Sequence, residues 1–100
     1  MASRSAVSST SVTTAAAVRP SPCTYYGYSL YNAGASAVLV KIYDNASAAS
    51  GTLLDIVNIP AASSVNAYYT VEDCSGGVRA SNGVYFSPAS AVEGSVRVGE

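Results

Sequence analysis

One hundred residues with a formal net charge of -1 make a single domain with no basic excess, which argues against binding a nucleic-acid backbone by counter-ion release. Only 11% of the residues are charged, against about 25% in an ordinary soluble domain. Much of the surface must therefore be Ser, Thr, Ala, Asn and Tyr, which suits packing against other chains.

A chain of this length buries roughly two-thirds of its unfolded surface, enough for a modest core without a metal. No apolar run approaches the ~20 residues of a membrane helix, so no membrane partner is expected. Histidine is absent, which removes the commonest general base and metal ligand.

Residues 1–20 read as an extended N-terminal arm that is low in complexity and has no core of its own. Val12 to Val18 could form a first edge strand. The Ser/Thr/Ala-rich composition with Arg4 and Arg19 resembles an organelle transit peptide, while Ser and Thr break up any apolar secretory core. The expectation is an arm that stays on the chain and lies against something. Pro20 and Pro22 make a stiff, non-helical connector. A β-sandwich domain is expected over residues 21–100.

Cys23 to Asn32 reads as a strand with Tyr26, Tyr28 and Leu30 on one face and Tyr25, Ser29 and Tyr31 on the other. Gly27 marks a bulge or a close backbone approach. Ala33-Gly34-Ala35 turns the chain into Ser36 to Asn45, its densest β-branched run. There Val38, Val40 and Ile42 share the core parity, opposite Leu39, Lys41 and Tyr43. Asn45 to Gly51 is a small-residue loop. Thr52 to Ile59 is apolar on both parities, so its inward face stays open, and Pro60 ends it.

Val65 to Val71 alternates as a strand, and Glu72 to Gly77 reads as a loop. Asn82-Gly83 between Val78–Ser81 and Val84–Ser87 is the signal for a two-residue hairpin with a type I′ turn. Ser95 to Val98 closes the series. The chain is thus expected to be all-β: about seven short antiparallel strands in a small β-sandwich or jelly-roll-like fold. The expected core is Tyr28, Leu30, Val38, Val40, Ile42, Leu54, Ile56, Ala67, Tyr69, Val84, Phe86, Val96 and Val98.

Chemistry is sparse. Cys23 and Cys74 could close a disulfide, adding about 4 kcal/mol if the geometry fits, or remain two buried thiols. With no histidine they do not make a zinc site. Asp44, Glu72 and Asp73 lack the spacing of a calcium loop. Gly76-Gly77 lacks the context of a phosphate loop and reads as a turn. No cofactor is expected, and the missing active-site inventory argues against an enzyme. The eight tyrosines carry more information. Tyr25, Tyr31, Tyr43, Tyr68 and Tyr85 fall on parities read as outward. With Arg79, Arg97 and Lys41 they read as protein-interface chemistry, since Tyr and Arg are enriched at binding hot spots. Arg4, Val7, Val12 and Arg19 of the arm join that candidate interface.

Several motifs in order resemble small bacteriophage virion proteins of the capsid-decoration (cement) type. They are Leu30-Tyr31-Asn32-Ala33-Gly34, Val40-Lys41-Ile42-Tyr43-Asp44, Gly51-Thr52-Leu53-Leu54, Ile59-Pro60-Ala61, Ser81-Asn82-Gly83-Val84-Tyr85 and Gly94-Ser95-Val96-Arg97-Val98. The resemblance covers about Cys23 to Val98, and its motifs are structural rather than catalytic. The cysteines and the arm lie outside it. It implies a β-sandwich on a capsid surface, made in the host cytoplasm. Its expected partners are the major capsid protein and further copies of itself, a trimer ahead of a dimer. A tail-fibre or adhesin-type module that binds a protein or a glycan is the alternative.

Overall fold

The computed structural model describes residues 8–62 and 70–99, with backbone alone over 70–75. Among the described residues eight strands run in order: β1 (Ser8–Val12), β2 (Ala16–Arg19), β3 (Cys23–Tyr31), β4 (Val38–Asp44), β5 (Thr52–Ile59), β6 (Thr70–Ala80), β7 (Val84–Pro88) and β8 (Glu93–Gly99). They form two four-stranded sheets, sheet A in the order β1-β8-β3-β6 and sheet B in the order β2-β7-β4-β5. Every pairing is antiparallel.

The pairs β1·β8, β2·β7, β3·β6 and β4·β5 are those of one long hairpin with the β4–β5 loop at its tip. Rolling that hairpin sets β8 beside β3 and β7 beside β4. The result is a jelly-roll winding, in which two sheets close over one core. The β-sandwich expectation therefore holds, with eight strands for about seven.

The arm carries more strand than the single edge strand expected at Val12 to Val18. Residues 8–19 supply two edge strands, one to each sheet, and Val12 is 6% exposed in the core. Backbone amides lying along a sandwich are best satisfied by the nearest open sheet edge, so this segment pairs with β8 and β7. Val92 N–H donates to the Thr13 carbonyl at 3.0 Å and pins the step between β1 and β2.

The inward residues of both sheets make one cluster: Val12, Cys23, Tyr25, Tyr28, Leu30, Val38, Val40, Ile42, Ile59, Ala80, Val84, Phe86, Val92, Val96 and Val98. Two expected core members move outward. Leu54 is half-buried against the cluster and Ile56 is 52% exposed. A register shift between Ile42 and Tyr43 places an extra β5 residue against β4. Val57 and Ile59 then face in, and Ile56 faces out. Ala67 and Tyr69 lie outside the described residues, as does most of the expected Val65–Val71 strand.

β3 carries the bulge that Gly27 announced. The register steps from Tyr25 to Gly27 against both neighbours, leaving Tyr26 as the extra residue. A bulge flips the parity of the residues beyond it. Cys23 and Tyr25 point inward before it, Tyr28 and Leu30 after it, and Tyr25 is fully buried.

The segment 72–77, expected as a loop, belongs to β6, although its register against β3 is broken. The Asn82-Gly83 hairpin is also corrected. β6 lies in sheet A and β7 in sheet B, so this turn carries the chain between sheets. No non-glycine residue among those described has a positive φ, so Asn82 does not take the conformation a type I′ turn needs.

The Asp44 carboxylate holds the crossing instead. Oδ2 accepts from Ser81 N–H at 3.1 Å, and Oδ1 accepts from Asn82 N–H at 2.8 Å and Gly83 N–H at 3.4 Å. Gly83 sits at φ 150°, and a side chain there would run into the Arg19 carbonyl.

Cys23 is a free, buried thiol. Its register partner is Ala80, while Asp73 pairs four residues further along β3, at Gly27. At about 3.3 Å per residue, that separation exceeds the ~7 Å Cα span of a disulfide. Cys23 therefore carries no disulfide, and the side chain of Cys74 lies outside the described residues.

Candidate protein-docking face

Strand parity fixes what each sheet shows outward. In sheet B, Val38, Val40 and Ile42 of β4 are buried, so Leu39, Lys41 and Tyr43 stand on the opposite face. Residues directly opposite in a ladder share a face. Tyr43 pairs with Tyr85 and Leu53, Lys41 with Ser87 and Ile56, and Leu39 with Asn58. Ala17 continues the first row beside Tyr85. The outer face of sheet B is therefore tyrosine and aliphatic, with one cation at its centre.

Among the described residues the exposed large hydrophobics are Leu39 at 41%, Leu53 at 44%, Ile56 at 52% and Val78 at 40%. Three of these four stand on that face. Sheet A differs. Its outward positions include Ser9, Ser11, Ser29, Ser95 and Arg97, together with Thr24 and Arg79. Scattered apolar residues are ordinary on a surface, but a contiguous apolar sheet face marks an interaction site.

The charges divide the same way. Asp55 lies on β5 at the inward parity, where Tyr25 Oη donates to its Oδ2 at 2.8 Å. This bond ties β3 of sheet A to β5 of sheet B. Asp44 is engaged by the 81–83 crossing, and Glu93 pairs with Tyr31 in sheet A. Among the described residues, then, the outer face of sheet B holds Lys41 and no acid.

The expected interface residues separate accordingly. Tyr43 and Tyr85 come together on this face. Tyr25 does not, being fully buried, because the bulge after it reverses the parity assumed from the sequence. Val12 is likewise core. Tyr31 and Arg97 are half-buried on the outer side of sheet A. Arg97 there serves the fold: Nη1 donates to Ser29 Oγ at 3.0 Å and Nη2 to the Tyr28 carbonyl at 3.2 Å. Arg79 is exposed on β6, and Arg19 is half-buried on β2. Arg4, Val7 and Tyr68 lie outside the described residues.

The interface expected from the sequence did not include Leu39, Leu53 or Ile56, and of these only Ile56 was assigned to the core. Leu39 already shared the outward parity of Lys41 and Tyr43. The two-sided apolar pattern of Thr52 to Ile59 was the signal for the other two.

Cys23 lies at the end of the sandwich where the 81–83 crossing is held. Burial pushes its thiol up from the ordinary value, with Arg19 and Arg79 pulling it back and Asp44 adding to the rise. A buried, protonated thiol is inert and contributes packing. Among the described residues no group of three or more acids and cysteines could hold a metal ion, and no helix is long and apolar enough to cross a membrane. Comparison with protein-family models, curated proteins and solved structures gave no match.

Proposed function

We propose that this chain is a bacteriophage capsid decoration (cement) protein that binds the outer surface of the major capsid protein shell and stabilises it. The observation that carries the reading is the outer face of sheet B, where Leu39, Leu53 and Ile56 are exposed beside Tyr43 and Tyr85. A sheet that presents leucine and isoleucine to water gains free energy when another protein covers it. On a shell the gain repeats by symmetry, and many modest contacts act together.

Three further points support the reading. The surface is unusually poor in charge. The jelly-roll winding is widespread among viral capsid domains, a fold-level analogy only. The motif resemblance along Cys23 to Val98 points the same way. The protein would then sit on the capsid surface after synthesis in the host cytoplasm, as a trimer ahead of a dimer. An adhesin-type module would use Tyr43 and Tyr85 as a sugar platform, but the aliphatic side chains around them suit a protein better than hydroxyls.

The test is the protein composition of purified particles. The chain should be present at a copy number related to the shell symmetry and leave on a chaotrope wash that keeps the shell intact. Its loss should lower the temperature at which the shell opens. Absence of the chain from particles would overturn the proposal.

A further inference from the structure

We infer that the outer face of sheet B docks on a protein surface that places a carboxylate against Lys41 within an apolar contact. This rests on the decoration reading and adds the docking surface and the chemistry of its partner.

Charge complementarity selects the occupant. Lys41 stands mid-strand on β4, flanked across the ladder by Ser87 and Ile56, with Leu39 and Tyr43 before and after it on the same face. Among the described residues this face supplies no acid. Covering it strips water from the ammonium, which is costly unless an opposite charge arrives with the partner.

A second copy fits poorly. In a two-fold pair of this face, two centrally placed lysines approach each other, and like charges oppose the contact. A copy offering a different surface has only Val78 as an exposed large hydrophobic among the described residues. The structure thus points to a different protein bearing a carboxylate ringed by apolar side chains.

The single lysine of the chain makes this directly testable. Particles purified with the full-length protein bound are treated with a water-soluble carbodiimide. The reagent activates a carboxylate, the Lys41 Nζ attacks it, and an amide forms as the urea leaves. The expected result is one cross-link from Lys41 to an aspartate or glutamate of the shell subunit. K41R should bind within about threefold of the parent and give no such link, because guanidinium keeps the charge and does not form the amide. K41E should lose about 30-fold or more in affinity for stripped particles. K41M should lose about tenfold, since it leaves the partner's carboxylate unpaired.

The outcomes separate cleanly. If the chain is missing from particles, the decoration reading fails and this inference falls with it. If the chain is bound but K41E and K41M bind like the parent, the inference alone fails. Links from Lys41 to an acid of the same chain, or of a second copy, would give the face to that occupant and overturn the inference.

Discussion

Removing the Asp44 carboxylate tests whether the chain crosses between sheets at residues 81–83. In Asp44→Ala the N–H groups of Ser81 and Asn82 lose acceptors at 3.1 and 2.8 Å. Gly83 N–H, at 3.4 Å, lies beyond the usual hydrogen-bond range and adds little. A hydrogen bond to a charged group contributes about 1.5–3 kcal/mol, and a neutral one about 1. Both bonds here are exposed to solvent, so the low end applies and the loss should be about 2–3 kcal/mol.

For a domain of this size each kcal/mol moves the melting temperature by about 4–8 °C, so Asp44→Ala should melt roughly 10–20 °C lower. Asp44→Asn keeps an acceptor for Asn82 and should lose about 1 kcal/mol. The assay is urea unfolding, read as a shift in midpoint at constant m-value. Asn82→Ala is the control: the cap uses the backbone of Asn82, so this change should stay within about 0.5 kcal/mol. A type I′ hairpin would show the opposite ranking, with Asn82→Ala costly and Asp44→Ala neutral. That ranking would refute the crossing.

The same geometry sets other expectations. Asn32 is buried, donates to the Ser36 and Ile59 carbonyls, and accepts from Gly34 N–H. Asn32→Ala should cost about 2–3 kcal/mol by orphaning these groups, and an unchanged urea midpoint would disprove that role. Tyr25→Phe removes the bond to Asp55 and should cost about 1–2 kcal/mol; a midpoint equal to the parent's would show that the bond does not tie the sheets. Cys23 titrates higher in the folded chain than when unfolded. Above its ordinary value of 9.0, the unfolded chain therefore gives up its thiol proton first. Stability should be full below that pH and fall as pH rises through the folded value. Cys23→Ala, compared at matched pH, should remove that part of the alkaline loss. A slope identical in both proteins would sink the assignment. Thiol reagents should label Cys23 only as fast as the sandwich opens.

Much of the fold was legible because strand parity is local. Val38, Val40 and Ile42 alternate with Leu39, Lys41 and Tyr43 in the sequence, and the structure buries the first set. Val84, Phe86, Val96 and Val98 likewise announced their inward faces. The scarcity of charge and of catalytic side chains also stands in the composition, and it pointed to contact with other chains.

Sheet membership and bulges were decided only by tertiary structure. Asn82-Gly83 looks like a hairpin because turn propensity reports two residues, whereas the direction of the next strand depends on which sheet has an open neighbour. Tyr25 turns inward because one extra residue at Tyr26 resets the parity, a choice made by the register of two other strands. Ile56 faces water for the same kind of reason on β5. Alternation along a strand comes from backbone geometry, but strand neighbours come from how distant segments pack. That is why the apolar face around Lys41 could be assembled only once β4, β5 and β7 lay side by side.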